Sequence, residues 1–329
     1  MRRWTGLLGL LLSLVFLYWA LKGLHLEQVW NLVRQARYGW ILPGVAVYMV
    51  GLVIRAWRWH YLLRPVARVS TRELFPLVTI GYMGNNIFPA RAGEALRAVL
   101  LKRKHGVPIS ASAATILVER VYDGVVMLAF IFVNLPELTR LTANSGFVGD
   151  IRTLALGGTG LFMGALIAFL LAAAFPRQTE TWAERVLARL PTRWEERMLP
   201  LVHRFLQGLA ALGSPWEAWM VFATSVVIWL LETAKYWFVM HAFDFQVSFF
   251  ALMLMNGVVN LATTLPSAPG YVGTFDAPGI AVLMAYGVPK PVAAGYTLTL
   301  HAALWLPVTL LGWYYLLKEG LSWREIRGR

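Results

Sequence analysis

The feature that most constrains this 329-residue chain is a series of long apolar stretches without Lys, Arg, Asp or Glu. Several reach the ~20 residues that a helix needs to cross the ~30 Å hydrocarbon layer of a bilayer. Only 14% of all residues are charged, against about a quarter in a soluble domain. The chain is therefore predicted to be an all-α, polytopic membrane protein. The stretches are Thr5–Leu21, Tyr38–Ile54, Val107–Val118, Val125–Pro136, Thr153–Pro176, Met220–Leu231 and Pro291–Leu317.

The net charge of +13 could indicate a nucleic-acid-binding protein. Here, however, the Lys and Arg residues are concentrated in short segments between the apolar stretches. That pattern is typical of topology signals and of contacts with anionic lipid heads. We therefore predict no nucleic-acid partner.

The sequence also limits the chemistry that the chain can perform. It contains no Cys, which excludes disulfides, thiolate catalysis and thiolate metal sites. It contains no phosphate-loop, His-Glu-x-x-His or Gly-x-Ser-x-Gly signature. We expect no metal, no cofactor and no catalytic residue, and no ATP-driven transport by this chain alone.

The distribution of Lys and Arg predicts six spanning helices with both termini in the cytoplasm. Their predicted positions are 4–22, 38–55, 107–133, 153–176, 216–242 and 291–317. Segments 24–37 and 134–150 are predicted outside, and 177–215 is predicted as a cytoplasmic amphipathic connector. The segment after the second helix is assigned to the cytoplasm by Arg55, Arg58, Arg64, Arg68 and Arg72.

Two stretches, 73–105 and 248–287, are predicted as re-entrant hairpins, which leave the membrane on the side from which they enter. If 73–90 spanned the bilayer, the basic cluster that follows it would face outward, against the Lys/Arg bias. The arm 94–105 is about 18 Å long, too short to span. The non-helical tips are predicted at 85–93 and 264–275, where surrounding protein or water must satisfy the backbone.

The two halves of the chain share one order of elements: helix, amphipathic connector, helix, hairpin, helix. Each hairpin has a Pro/Gly tip, an acid that opens a short apolar arm, and then Gly-Val-Pro, at Gly106–Pro108 and Gly287–Pro289. We interpret 1–150 and 151–329 as inverted repeats of a single membrane domain, a pattern typical of transporters with a site near the midplane. The alternative is that Gly-Pro pairs simply end helices, as they do in many proteins.

The predicted helix 107–133 contains three central charges, Glu119, Arg120 and Asp123. Each costs at least ~2.5–3.5 kcal/mol at the centre of a membrane helix. Glu119 and Asp123 share a helical face, and Arg120 can pair with Asp123. We predict that this face lines a polar cavity where Arg120 meets an anion; the alternative is a buried ion-pair network that locks the helices together.

The first hairpin tip offers four candidate substrate-binding residues, Asn86, Arg91, Glu94 and Arg97. The helix N-terminus after the tip favours an anion, and Arg91 adds a bidentate donor for a phosphate-like group. Glu94 has an equally good alternative, because an acid at a helix start is a common cap.

The second hairpin offers Asn260 and Asp276 as further candidates. Asn260 shares a face with Asn256 and Thr263, and this face either lines the cavity or hydrogen-bonds to a neighbouring helix. Asp276 opens the second arm and therefore has the same capping alternative as an acid at any helix start.

Two other positions inside membrane helices carry ionisable side chains. Glu232 and Lys235 are spaced as an i, i+3 pair. His301 is either an interhelical hydrogen-bond donor or, with Glu119 and Asp123, part of a proton relay.

Three motifs of the chain are specific enough to suggest a family. They are Asn86-Ile-Phe-Pro-Ala-Arg-Ala-Gly-Glu-Ala-Leu-Arg97, Ala114-Thr-Ile-Leu-Val-Glu-Arg-Val-Tyr-Asp123 and Leu265-Pro-Ser-Ala-Pro-Gly-Tyr-Val-Gly-Thr-Phe275. In this order they resemble the signatures of the flippase-like transmembrane domain of bacterial lysylphosphatidylglycerol synthases. That domain also occurs alone and in relatives of an archaeal dolichol-linked glycosyltransferase.

The resemblance implies a plasma-membrane protein that moves a polar-headed lipid between leaflets. The implied partners are membrane lipids: an anionic or aminoacylated phospholipid, or a polyprenyl phosphate. Arg91 and Arg120 would hold the phosphate, with Glu94, Glu119 and Asp123 orienting them.

The synthases' soluble aminoacyl-transferase domain is not expected here, because the chain ends about a dozen residues after its last predicted helix. Two alternative functions stay open at this point: a polyprenyl-phosphate-dependent glycosyltransferase-like enzyme, and a non-catalytic partner subunit of a lipid-modifying enzyme. The chain could also assemble as a homo-oligomer.

Overall fold

The computed structural model describes residues 11–319 apart from 12, 17, 19–21, 89–91, 142–159, 161–162, 166, 169, 173, 190–191, 210–213 and 265–267. Within these residues the fold is all-α. The helices are α1 (Leu26–Gln35), α2 (Ile41–Leu63), α3 (Thr71–Ile87), α4 (Ala92–His105), α5 (Ile109–Leu141), α6 (Pro176–Leu187), α7 (Thr192–Leu209), α8 (Pro215–Met240), α9 (Phe249–Ala262), α10 (Asp276–Ala285) and α11 (Lys290–Lys318). Short 3₁₀ turns at Tyr38–Trp40 and Pro269–Tyr271 precede α2 and α10.

Three of the described helical segments are long and apolar enough to cross a bilayer, namely Tyr38–Leu63, Pro215–Met240 and Lys290–Lys318. The chain is therefore a multi-pass membrane protein. The 33 residues of α5 extend about 50 Å at 1.5 Å per residue, although this helix carries the central charges. The predicted spanning segment 4–22 and much of 153–176 lie outside the described residues.

Helices α3 and α4 occupy the segment predicted as the first hairpin, and they pack antiparallel to each other. Gly84 of α3 faces Gly93 of α4, while Gly81, one turn earlier, faces Arg97, one turn later. A Cβ on Gly93 would lie 1.9 Å from the Gly81 carbonyl oxygen, so only glycine permits this approach. The predicted tip at 85–93 is partly helical, and its residues 89–91 lie outside the described ranges.

Helices α9 and α10 occupy the segment predicted as the second hairpin and pack against each other. The connection between them, 263–275, matches the predicted tip at 264–275. Among the described residues of this connection, those with positive φ are Gly270 (73°), Tyr271 (60°) and Gly273 (82°). Two of these are glycines, which adopt the left-handed region without a Cβ penalty.

A serine cap begins the first helix of each pair. The Ser70 hydroxyl accepts a hydrogen bond from the Glu73 N–H, and the Glu73 carboxylate accepts one from the Ser70 N–H, which forms a capping box. The Ser248 hydroxyl accepts a hydrogen bond from the Ala251 N–H at 3.1 Å. Both caps satisfy N–H groups that have no partner inside their helix.

The buried apolar side chains form two clusters. One contains mainly side chains of α2–α4 and the start of α5, and the other mainly side chains of α8–α11 and the end of α5. Two glycine contacts join helices of the first and second halves. A Cβ on Gly312 of α11 would lie 2.4 Å from the Met83 Cβ of α3, and one on Gly257 of α9 would lie 2.9 Å from the Met127 carbonyl oxygen of α5.

Two predicted boundaries are wrong. Helix α2 continues to Leu63 instead of ending at 55, and α5 continues to Leu141, into the segment predicted as a loop from 134. The first error has a clear cause: Arg55 and Arg58 were interpreted as residues of a basic loop, but they are buried in α2, with 4% and 1% of their surface exposed. The predicted connector 177–215 comprises α6 and α7, and α7 packs against α5.

Candidate functional site

A cavity of about 250 Å³ lies between helices of both halves. Its walls come from α2, α3, α5, α8, α9 and α11, together with the connection 263–275. Among the described residues, five charged side chains line it: Arg55, Arg120, Asp123, Glu232 and Lys235. Aromatic rings and amides form most of the remaining wall.

Arg120 is held on one side only. Its Nη2 lies 3.3 Å from Asp123 Oδ2 and 3.9 Å from Glu119 Oε2, and its Nε lies 3.6 Å from Glu94 Oε1. Nη1 makes none of these ion pairs, and a quarter of the side chain is exposed. Arg120 therefore combines fixed placement with a guanidinium edge that can meet an anion.

Asp123 is fully engaged by neighbouring donors. Arg58 donates to its two carboxylate oxygens at 2.7 and 3.3 Å, and the Trp229 indole N–H donates at 3.0 Å. Arg58 also donates to the Ser225 hydroxyl at 2.6 Å. The carboxylate thus positions Arg120 and has little capacity left to accept a proton from a substrate.

A second charged group on the cavity wall joins α2 to α8. Arg55 Nη2 lies 3.0 Å from Glu232 Oε1, and Arg55 Nε donates to the Tyr82 hydroxyl at 2.6 Å. Glu232 also forms an ion pair with Lys235, which confirms the pair predicted from their spacing. Among the described residues, Arg55 Nη1 is buried without a hydrogen-bond partner.

Arg97 and Glu119 form an ion pair behind the cavity wall, and Glu119 is also the 3.9 Å neighbour of Arg120. Their side chains are almost fully buried, and Arg97 Nη2 lies 2.6 Å from Glu119 Oε2. The Arg97 guanidinium also lies over the Trp59 ring, 4.2 Å from its centroid. Neither residue lines the cavity, so this pair corresponds to the alternative of a helix-locking network.

His301 joins α11 to the connection before α10. Its Nδ1 lies 2.8 Å from Asp276 Oδ1, and its Nε2 lies 2.7 Å from the Gly270 carbonyl oxygen. Both partners are acceptors, so both bonds form together only if the ring carries two protons. Asp276 also accepts a hydrogen bond from the Gly273 N–H at 2.9 Å, the capping role considered for it, and His301 contacts neither Glu119 nor Asp123.

Two asparagines of the predicted site also line the cavity. Asn86 donates to Thr309 Oγ1 at 2.8 Å and to the Trp305 carbonyl oxygen at 3.3 Å, and the Trp305 indole N–H donates to the Asn86 carbonyl oxygen at 3.3 Å. Asn260 donates to Asn256 Oδ1 at 2.7 Å. Asn86 thereby fixes the end of α3 against α11.

One further cluster has a composition suited to a metal ion. Glu180 and Glu184 of α6 and His203 of α7 have ligand atoms within 4.8 Å of one another. His203 Nε2 lies 2.9 Å from Glu180 Oε1, and this contact joins α6 to α7. Neither helix contributes a residue to the cavity wall.

Comparison with known proteins places the chain in a family. Residues 6–312 match the model described as the lysylphosphatidylglycerol synthase TM region. The chain belongs to this family. No solved structure matches it.

This member of the lysylphosphatidylglycerol synthase TM family is also similar to several curated proteins. The chain is 28% identical to Glycosyltransferase AglD of Haloferax volcanii over 94% of its own length and 54% of that protein. It is 25% identical to a UPF0104 membrane protein of Methanothermobacter thermautotrophicus, covering 83% of this chain and 82% of the relative. It is 23% identical to UPF0104 membrane protein MJ1595 of Methanocaldococcus jannaschii, covering 94% and 93%. The chain thus spans about half of AglD but most of these two UPF0104 proteins.

The nine predicted site residues of this family member fall into distinct groups. Those on the cavity wall are Asn86, Arg120, Asp123 and Asn260. Those off the wall are Glu94, Arg97, Glu119 and Asp276. Of these, Glu94 forms an ion pair with Arg120 of the wall. Arg91 lies outside the described residues.

Sequence reasoning missed two arginines, Arg55 and Arg58. The only sequence signal for them is their position on an apolar helix face. Arg55 lies four residues after Gly51, and with Arg58 it continues the 3–4 residue spacing of the buried positions Tyr48 and Leu52.

Proposed function

We propose that this protein translocates a polar-headed lipid between leaflets, with the head in the cavity between the two halves. The observation that carries the proposal is the cavity wall, where Arg55, Arg120 and Lys235 meet in a membrane-embedded bundle. Ionisable groups inside membrane segments mark substrate pathways by default. Family membership supports the proposal, because the family is named for a membrane region of a lipid-modifying synthase.

The test is lipid translocation in proteoliposomes, with Arg120→Gln as the key variant. We expect fluorescent phosphatidylglycerol to move between leaflets with the wild-type protein and at least about ten-fold more slowly with the variant. Arg72→Gln is the matched control, since Arg72 is exposed at the start of α3. Equal rates for wild type and Arg120→Gln would overturn the proposed role of the cavity.

We further propose that α3–α4 and α9–α10 are re-entrant hairpins in inverted repeats, 1–150 and 151–329, with both termini on the cytoplasmic side of the plasma membrane. The serine caps, the helix bounds and the position of both tips beside the cavity support this. The chain has no native Cys, so single cysteines report sidedness directly. An impermeant maleimide should label Arg72→Cys and Lys102→Cys from the cytoplasm, and Gln246→Cys and Lys290→Cys from outside.

Labelling of Arg72→Cys and Lys102→Cys from opposite sides would show that the first helix pair crosses the membrane. The same comparison for Gln246→Cys and Lys290→Cys decides the second pair. If all four cysteines were labelled from the same face of the membrane, both helix pairs could still be re-entrant hairpins, but the two repeats would not be inverted.

A second candidate is a membrane enzyme that transfers a sugar from a polyprenyl carrier. It is favoured by the match to a protein named Glycosyltransferase AglD, of which this chain covers about half. The cavity favours it less, because Asp123 and Glu232 are each bound by two cations, and a general base must be able to take a proton. Sugar transfer to or from a polyprenyl phosphate by the purified protein would establish this alternative.

A further inference from the structure

We propose that the cavity selects a head group with a single negative charge, a phosphodiester with one small substituent, and discriminates against zwitterionic and cationic heads. This inference rests on the proposed function, since it names the cargo of the same cavity. Four features of the wall lead to it: its charge, its free donors, its aromatic rings and its volume.

The charge of the wall is the first feature. Among the described residues, Arg55, Arg120 and Lys235 contribute three positive charges and Asp123 and Glu232 two negative charges, which leaves a surplus of one. The charged partners behind the wall, Arg58, Arg97, Glu94 and Glu119, cancel one another and leave this surplus unchanged. His301 does not change this sum, because its partner Asp276 offsets it. A buried surplus charge is costly, so one negative charge on the head neutralises the site, whereas a cation adds to the surplus.

The wall also has free hydrogen-bonding capacity: its charged side chains offer donors, and Asn85 Oδ1 is a buried neutral acceptor without a partner among the described residues. Arg55 Nη1 is a buried donor without a partner among the described residues, although its side chain is only 5% exposed. Arg120 Nη1 stands outside the ion pairs of that residue. A phosphodiester supplies two anionic oxygens and accepts from guanidinium groups at little geometric cost, while an ammonium head offers only more donors.

Four of the aromatic rings on the cavity wall already lie beneath the protein's own cations. The Arg55 guanidinium lies over the rings of Tyr82 and Trp229, 5.3 and 5.7 Å from their centroids. Lys235 Nζ lies 4.2 Å from the Tyr48 centroid and 5.5 Å from the Tyr236 centroid. Quaternary ammonium heads bind in cages of such faces, so the protein's own cations compete with a choline or lysyl head at every one of these four rings.

The volume limits the size of the substituent. At about 250 Å³, the cavity lies below the ~300–1,000 Å³ typical of pockets that enclose a whole small molecule. It has room for a phosphate with a glycerol or a single sugar, but not for acyl chains as well. The tails of a lipid cargo therefore stay in the bilayer while the head occupies the cavity.

The deciding measurement is calorimetric binding of short-chain lipids to the purified full chain in detergent. The probes are dihexanoyl forms of phosphatidylglycerol, phosphatidylethanolamine and lysylphosphatidylglycerol, with net charges of −1, 0 and +1. We expect phosphatidylglycerol to bind at least about ten-fold more tightly than either of the others, as a unit charge demands at a partly buried site. Equal affinities, tighter binding of the lysyl lipid, or no binding of any probe would overturn the inference.

A charge-changing variant sharpens the test. Glu232→Gln raises the surplus positive charge on the wall from one to two. A phosphomonoester acquires a second negative charge near neutral pH. The variant should therefore bind dihexanoyl phosphatidic acid several-fold more tightly, relative to dihexanoyl phosphatidylglycerol, than the wild type does. Glu27→Gln, the same substitution at an exposed position of α1, should leave the ratio unchanged. If Glu232→Gln does not yield folded protein, the wild-type series decides alone.

Two further arms separate the sources of the ligand and the two proposals. Glycerophosphoglycerol has the same head without tails, and binding of it in preference to the lipid would assign the cavity to a soluble phosphodiester. Selective binding of phosphatidylglycerol without translocation would sink the proposed function and keep this inference. Translocation of all three lipids at one rate would support the proposed function and overturn this inference.

Discussion

Glu119 and Arg120 are neighbours on α5 and approach each other to 3.9 Å, yet their exposure and their shortest ion pairs differ. Glu119 is 1% exposed and pairs with Arg97 behind the cavity wall, whereas a quarter of the Arg120 side chain is exposed on that wall. Consecutive residues of a helix point about 100° apart, so one helix serves two environments at the same depth. Charged residues of this membrane helix are therefore of two kinds. Some form buried, sealed ion pairs that join helices, and others remain accessible on the cavity wall.

The largest effect expected from this comparison is on the sealed side. Arg97→Ala leaves Glu119 buried without its partner, which should lower the free energy of unfolding by ~3–5 kcal/mol. Thermal unfolding in detergent, followed by size-exclusion chromatography, measures this loss.

The double variant Arg97→Met with Glu119→Leu is the control for that prediction. Replacing both charges with apolar side chains is often neutral or stabilising, so it should restore stability and leave lipid translocation close to wild type. If the double variant were stable but inactive, the sealed pair would belong to the site after all.

The next effect concerns His301, a fixed part of the cavity side. His301→Ala removes the hydrogen bonds to Asp276 and to the Gly270 carbonyl, and the bond to the charged Asp276 carboxylate sets the scale at ~1.5–3 kcal/mol. We expect a loss of stability in that range and slower translocation, because the connection before α10 loses its anchor. Hydrogen exchange of 268–275 should rise in the variant, and unchanged exchange would contradict the anchoring role.

A smaller effect is expected where α3 ends against α11. Asn86→Ala removes two donated hydrogen bonds, to Thr309 and Trp305, each with a net contribution of ~0.5–1.5 kcal/mol. Thermal unfolding should show this modest decrease. The comparison is Asn85→Ala, at the neighbouring position on the same wall. The Asn85 side-chain oxygen has no described partner, so this substitution should lower the free energy of unfolding less than Asn86→Ala does.

The smallest effect is expected at the exposed ion pair of Arg37 and Asp244. Asp244 is 90% exposed, and exposed pairs are worth ~0–1 kcal/mol. Asp244→Asn should therefore change neither the unfolding temperature appreciably nor the translocation rate. A large loss of stability here would show that exposure is a poor guide to the roles of ion pairs in this protein.

How far the sequence could predict this site depends on the distance between partners. The spacing of Arg120 and Asp123 correctly predicted their contact, since both lie on one helix. The predicted cavity-lining face is right for Asp123 but not for Glu119, which pairs with Arg97 off the wall. Arg58 is different: its partner Asp123 is 65 residues away. The Lys/Arg bias counts charges without their partners, so it assigned Arg58 to a loop.

The helix pairs were more predictable than the wall of the cavity. Local signals determine them: a serine cap before α3 and before α9, and glycines where the chain must turn or pack closely. The cavity wall combines side chains of six helices and one connection, and no local pattern encodes such a meeting. That is why Arg55 and Trp305 were missed although Glu232 and Asn86 were named.

The glycine contacts at Gly312 and Gly257 bear on how the molecule can move. There, backbone or Cβ atoms of the two halves meet directly, with no long side chain between them to bend or slide. Close-packed interiors resist compression and transmit strain, so the halves behave as one stiff frame. An opening of the cavity would therefore move side chains or single helices relative to this frame, because the halves cannot separate at Gly257 and Gly312 without losing these contacts.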